Sequence, residues 1–260
     1  GDKEASKAIF DEARICAENR DAECMNIMGL FYAKGILVEK CNKEAFAWFN
    51  LAARHGFSRA ARNLALMYAK GNGIEKNISL AIQIINQIKE RDTPCYYLSL
   101  GEIERIARRH EAAFENFKIA AELGNARAKY FYGTYLLKGE CCNKNIMLGV
   151  KNIRYAAKNG IAPACLLLAR YYEKGFTEGG INQSNTLAVK YCKSAAKNCS
   201  VKAQRRLAEI YKSGILGVSK NLKESFKWYL IPAENGDYDS AFYVALSYAN
   251  GNGIDANYVE

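Results

Sequence analysis

The sequence predicts an all-α repeat protein, a single stack of antiparallel helix pairs running through all 260 residues. Three observations predict it. Glycines recur at a period: Gly35 and Gly71 are 36 residues apart, as are Gly124 and Gly160, and Gly139 and Gly175. Gly214 follows Gly175 by 39 residues, and Gly251 follows by a further 37. Internal periods of about 20–50 residues mark stacked supersecondary units. A small residue recurs in the same phase at Gly29, Ala65, Gly101, Gly133, Ala169, Ala208 and Ala245, spaced by 36, 36, 32, 36, 39 and 37. There are 20 glycines but only 3 prolines, and no alternating run of β-branched residues competes with the helical periodicity.

The elements follow in chain order. Residues 1–21 read as a partial repeat whose helix covers 3–19. Repeat 22–56 opens with "MGLFYAKG", where Met28 and Tyr32 give the apolar stripe of a first helix. Its second helix carries Ala45, Trp48, Phe49, Ala52 and Ala53 and is expected to end at Gly56 in the left-handed conformation. Repeat 57–92 places Leu64 and Tyr68 on the same stripe, followed by the loop "GNGIEKN". Repeat 93–124 is short and lacks the glycine loop; its second helix carries Ala113, Phe117, Ala120 and Ala121. Repeat 125–160 pairs Phe131/Tyr135 with Ile153, Ala156 and Ala157. Repeat 161–199 expands its loop to "GFTEGGINQSN", which accounts for the spacing of 39. Repeat 200–236 has Leu207/Tyr211, and Pro232 stands where other repeats have Ala52, Ala120, Ala156 and Ala195. Its second helix is therefore expected to kink or stop early. Residues 237–260 make a last partial repeat. Half-repeats bury their faces poorly, so the natural protein is expected to continue past one or both of these ends.

Composition narrows the function. Half the chain is hydrophobic and 25% is charged, which excludes a disordered chain. The longest uncharged stretch, residues 240–254, is 15 residues and too short for a membrane span. No basic-then-apolar opening reads as a secretory signal. Only two histidines occur, His55 beside a helix-end glycine and His110 in the turn of repeat 93–124, and both read as solvated caps. No zinc-protease motif, phosphate loop, calcium loop or zinc-spaced Cys/His set is present. "GNGIEKN" and "GNGIDAN" start like a phosphate loop but recur at helix turns, where structure explains them. Carboxylate pairs such as Glu102/Glu104 and Glu111/Glu115 fall on helix faces. No enzyme, metal or cofactor is expected.

The pattern carried by "LALMYAKGNGIEKN", "MGLFYAKG" and "AFAWFNLAARHG" resembles the Sel-one-like repeat (SLR), a relative of the tetratricopeptide repeat (TPR), over nearly the whole chain. Repeat 93–124 looks TPR-like. The resemblance implies a right-handed α/α superhelix and a non-enzymatic scaffold that holds a partner polypeptide in its concave groove, in envelope assembly or host–bacterium contact. Two alternatives stay open: a cell-wall or β-lactam-related enzyme like cysteine-rich SLR relatives, and an RNA-binding helical repeat. The Lys-, Asn- and Ile-rich composition points to a bacterial source. An exported setting, periplasmic, secreted or host-delivered, is favoured over the cytoplasm.

In such packing the ligand-facing side of each first helix presents Arg59, Arg62, Leu66, Arg127, Tyr130, Arg170, Lys202, Arg205 and Phe242, with Asn26 in the same phase. A net charge of +10 and these arginines point to a protein or peptide of acidic character, because guanidinium favours planar carboxylates. Nucleic acid is not expected as the partner. Nine cysteines are too sparse for a disulfide scaffold. Cys95, Cys165 and Cys192 lie in apolar helical patterns and read as buried thiols. Cys16 and Cys24 occupy the phase of Ala52/Ala60, Ala120/Ala128, Ala156/Ala164 and Ala195/Ala203, and their eight-residue separation resembles the bridged pairs of cysteine-rich SLR proteins. They are the disulfide candidates.

Overall fold

A computed structural model describes residues 2–88 and 93–253, with side chains from residue 7 onward. The end of repeat 57–92 and the final residues 254–260, including most of "GNGIDAN", lie outside the described residues. The described residues form fourteen α-helices and no strand beyond one isolated Phe176–Ile181 bridge. Contacts group the chain into two units, Gly1–Asn125 and Ala126–Glu260.

The first unit contains α1 (Asp2–Glu18), α2 (Ala22–Lys34), α3 (Asn42–Arg54), α4 (Ser58–Lys70), α5 (Ile78–Gln87), α6 (Pro94–Ile106) and α7 (His110–Glu122). The second contains α8 (Ala126–Lys138), α9 (Ile146–Lys158), α10 (Ala162–Lys174), α11 (Asn185–Lys197), α12 (Val201–Ser213), α13 (Leu222–Glu234) and α14 (Tyr238–Asn250), with a 3₁₀ turn at Thr177–Gly179. Sequence neighbours pair as hairpins: α2 with α3, α4 with α5 and α6 with α7, then α8 with α9, α10 with α11 and α12 with α13.

One hinge recurs in these hairpins. The first helix ends in a left-handed residue, as at Gly71 with φ 72°. The chain then turns until the N-cap of the second helix donates to a carbonyl near the end of the first. Cys41 N donates to Tyr32 O at 3.0 Å, Asn77 N to Tyr68 O at 2.8 Å, Asn145 N to Leu136 O at 3.0 Å, Ser184 N to Tyr172 O at 2.7 Å and Asn221 N to Tyr211 O at 2.8 Å. These bonds satisfy carbonyls that a helix terminus otherwise leaves open. The side chains of Asn77, Asn145, Ser184 and Asn221 cap the second helices, each contributing about 1 kcal/mol. The glycine loop is thus a helix-pairing device. At Gly73 a Cβ would lie 2.6 Å from the carbonyl of Asn42, so the loop seats against the preceding second helix. Repeat 93–124 lacks the loop and turns in three residues, with Arg108 taking the left-handed conformation at φ 62°. His110 is the first residue of α7 rather than part of the turn.

The recurrent small residue works at helix crossings. A Cβ on Gly101 would come within 2.7 Å of the Phe117 ring, and one on Gly133 within 2.9 Å of the Gly149 carbonyl oxygen. Ala65 and Ala208 are fully buried. The cores follow from this tight approach: Met25, Met28, Phe49 and Leu64 in α2–α4, Ala81, Ile85 and Ile103 in α4–α6, and Ile153, Leu168, Leu207 and Ile210 in the second unit. Two expectations need correction. α13 does not stop early at Pro232 but runs through it to Glu234, with the proline inside the helix at the loss of one backbone donor and only two residues of helix to follow. Cys95 is exposed rather than buried, since it falls in the first turn of α6 on the outward side.

Candidate functional site

The side chains expected to face a ligand all lie on first helices, and their surroundings differ. On α4, Arg59 is exposed with its guanidinium 6.0 Å from the Phe57 ring centre. Arg62 and Leu66 are half-buried, and Leu66 packs on the α4–α6 core. Asn26 is buried, accepting a hydrogen bond from Asn63 Nδ2 at 3.0 Å, so it ties α2 to α4 and is not an open ligand contact. In the second unit Arg127 on α8 is exposed, 6.0 Å from the Phe131 ring, and Tyr130 is half-buried beside the same ring at 5.2 Å. Arg170 on α10 is exposed.

Lys202, Arg205 and Phe242 converge. They line one cavity of about 590 Å³ formed by α12, α13 and α14. Its charges are largely compensated. Arg205 pairs with Asp239 and lies 3.7 Å from Asp237. The neighbouring Arg206 pairs with Glu173 of α10 at 2.6 Å and with Glu209 at 3.7 Å. Lys202 makes no ion pair among the described residues. The walls are aromatic: Tyr229 stacks on Tyr243 at 4.7 Å, Phe242 meets Tyr243 edge-on at 6.0 Å, and Tyr238 stands at the rim. Lys212 lies over the Tyr243 ring at 4.5 Å.

One of the residues lining this cavity carries an unsatisfied group. Tyr229 is 3% exposed, and its hydroxyl oxygen is buried with no hydrogen-bond partner among the described residues. Burial pushes its phenol well above the usual range, the carboxylate of Glu209 adds to this, and Arg205 opposes it. A buried hydroxyl without a partner is costly, and native structures rarely leave one unless something else supplies the bond. Sequence reasoning missed Tyr229, Glu209 and Tyr243. Tyr229 lies on a second helix, outside the first-helix phase, and only the packing of α14 on α13 makes it part of the cavity lining.

Cys16, Asp21 and Cys24 form a second cluster, at the junction of α1 and α2. All nine cysteines are held as thiols. The Sγ atoms of Cys16 and Cys24 and a carboxylate oxygen of Asp21 lie within 4.8 Å of one another. Asp21 caps α2 by accepting from Cys24 N at 2.8 Å. Burial pushes the Cys24 thiol up to about 12, and its hydrogen bonds with Cys16 and Asp21 push the same way. The aligned cysteines were found by phase; Asp21 was not, because its part comes from helix capping.

Comparison with known proteins places this geometry. The family model described as "Sel1 repeat" matches residues 22–57, 58–84, 95–125, 126–161, 162–198, 201–237 and 239–260. A Sel1 repeat protein from Oxalobacter formigenes is 31% identical, with a TM-score of 0.58 over 80% of this chain and 83% of that one. The protective antigen c5321 of uropathogenic Escherichia coli, which displays an SLR fold, is 27% identical, with a TM-score of 0.54 over 95% of this chain and 53% of that one. The chitin synthase regulator SKT5 of Saccharomyces cerevisiae is 24% identical over 243 residues, which cover 87% of this chain and 34% of that protein. The chain therefore spans about a third of the yeast relative's length. Among the described residues no helix is long and apolar enough to cross a membrane.

Proposed function

The chain belongs to the Sel1 repeat family, and from that premise we propose that it is a non-enzymatic scaffold binding a partner polypeptide along the exposed faces of its first helices. The observation that carries this reading is the Tyr229 hydroxyl, buried and without a hydrogen-bond partner among the described residues, on a residue that lines the α12–α14 cavity. A cavity lined by aromatic rings with charged groups between them fits an anchor residue with an apolar body and a polar tip, the kind that dominates interface energies. The partner's acidic residues face Lys202 here, and Arg59, Arg127 and Arg170 on their own helices. The yeast relative named as a chitin synthase regulator supports a role exerted through another protein.

The test places a photo-crosslinking residue at Phe242, which is 66% exposed on the cavity rim, and in a control at the exposed Met147 of α9. The reading expects a discrete crosslinked partner from position 242 and not from position 147. It expects that product to fall in Lys202→Glu and in the Arg59→Glu/Arg127→Glu double variant. Equal crosslinking from both positions, or a yield indifferent to both variants, overturns it.

A further inference from the structure

We propose that Cys16, Asp21 and Cys24 form a binding site for a thiophilic divalent cation, with Zn²⁺ the best-matched ion. The donor set is two thiolates and a carboxylate, which suits a borderline-soft metal and is a poor match for Mg²⁺ or Ca²⁺, whose ligands are oxygens. The three donor atoms already lie within 4.8 Å of one another. In a tetrahedral zinc site two sulfurs, each about 2.3 Å from the metal, are about 3.8 Å apart, so the sulfurs need to close by no more than about 1 Å. The fourth position falls to water.

The backbone fixes this arrangement before any metal arrives. Cys16 is in the last turn of α1 and Cys24 in the first turn of α2. The connection between them is tight: Arg20 takes φ 67°, and Asp21 N donates to Cys16 O at 3.2 Å. The hydrogen bond from Cys24 N holds one carboxylate oxygen of Asp21 and leaves the other for the ion. Ligating carboxylates are commonly oriented by such second bonds.

The rest of the chain shows that the packing does not demand these residues. The same two backbone positions hold Ala52/Ala60, Ala120/Ala128, Ala156/Ala164 and Ala195/Ala203, all fully buried. At the position of Asp21 stand Phe57, Asn125, Ile161, Ser200 and Asp237, and Asp237 is accompanied by Pro232 and Ser240 in place of thiols. Three donors coincide at one junction, and both cysteines there are only half-buried. Metal binding displaces the two thiol protons to solvent, leaving two thiolates and one carboxylate around the ion. A disulfide between the same thiols removes two protons and two electrons, needs an oxidant, and excludes the metal.

The test uses the full chain, reduced and metal-stripped, titrated with Co²⁺ and then Zn²⁺. The expected result is a thiolate-to-cobalt charge-transfer band that saturates at one equivalent and is abolished by Zn²⁺. Cys16→Ser and Cys24→Ser lose the band while circular dichroism shows native helicity. Asp21→Asn, which retains the helix cap, keeps the band with affinity on the order of tenfold weaker. Absence of the band in reduced protein whose thiols all titrate overturns the proposal. So does a band that survives in the Cys16→Ser/Cys24→Ser double variant.

Discussion

Tyr229 lies stacked on Tyr243, ring centres 4.7 Å apart and planes 20° from parallel, and its hydroxyl is buried without a hydrogen-bond partner among the described residues. The ring contributes packing while the hydroxyl opposes it. An unsatisfied buried hydroxyl costs about 1–3 kcal/mol. Tyr229→Phe keeps the ring and removes the cost, so thermal denaturation should show a melting temperature raised by a few degrees. The same variant should crosslink less partner through position 242. A lowered melting temperature would mean the hydroxyl is satisfied in the free protein.

Gly101 meets Phe117 at the closest helix crossing of repeat 93–124. A methyl group there would lie 2.7 Å from the ring, and Phe117 is fully buried with little room to move. Gly101→Ala improves helix propensity, worth about 1 kcal/mol in an open helix. Overpacking at the ring costs about 1–3 kcal/mol and should win. Chemical denaturation should therefore give a less stable Gly101→Ala protein, and a Gly101→Ala/Phe117→Leu double variant should recover part of the loss.

The recurrent small residue was legible because a helix crossing constrains one backbone position regardless of what surrounds it. The hinge was legible for the same reason, since a left-handed turn selects glycine. Pro232 misled because the loss of one donor so near the end of α13 does not prevent the last two residues from staying helical. Cys95 misled because phase alone does not distinguish a helix's first turn from its buried middle. The α12–α14 cavity was half legible: Lys202, Arg205 and Phe242 follow from repeat phase. The ion pairs that neutralise Arg205 come from the head of another helix, and no periodicity within one helix announces them.

The thiols divide by burial. Cys165 and Cys192 are buried, whereas Cys95, Cys141 and Cys199 are exposed. Native protein should label rapidly at the exposed three with a thiol reagent at pH 8, and at Cys165 and Cys192 only after denaturation. Burial pushes the Cys192 thiol from an ordinary 9.0 up to about 11. The unfolded chain loses that proton near pH 9 while the folded chain keeps it, so between about pH 9 and 11 the unfolded state binds fewer protons and stability falls as pH rises. Below pH 9 the two states are protonated alike and the effect vanishes. Denaturation curves across this window should be flatter for Cys192→Ala than for wild type, and an identical slope would show that Cys192 does not contribute.

Asp237 and Asp239 both contact Arg205, yet their removal should differ in kind. Asp239 is 74% exposed, and an exposed ion pair contributes little after side-chain entropy and screening. Asp239→Asn should change stability by no more than about 0.5 kcal/mol. Asp237 is only 22% exposed and is the N-cap of α14, accepting from Ser240 N at 3.1 Å and from the Ser240 hydroxyl. Losing the cap costs about 1 kcal/mol. Ser240 is fully buried, so its hydroxyl would also be stranded, adding about 1–3 kcal/mol. Asp237→Ala should therefore destabilise the protein by roughly 2–3 kcal/mol, the sum of these terms at their lower and middle values. Asp237→Asn, which still caps the helix, should recover most of it. Because α14 forms one wall of the cavity, Asp237→Ala should also weaken crosslinking through position 242, whereas Asp239→Asn should leave the helix in place. Equal losses in the two variants would show that pairing with Arg205 of α12, and not the cap, holds the start of α14 in place.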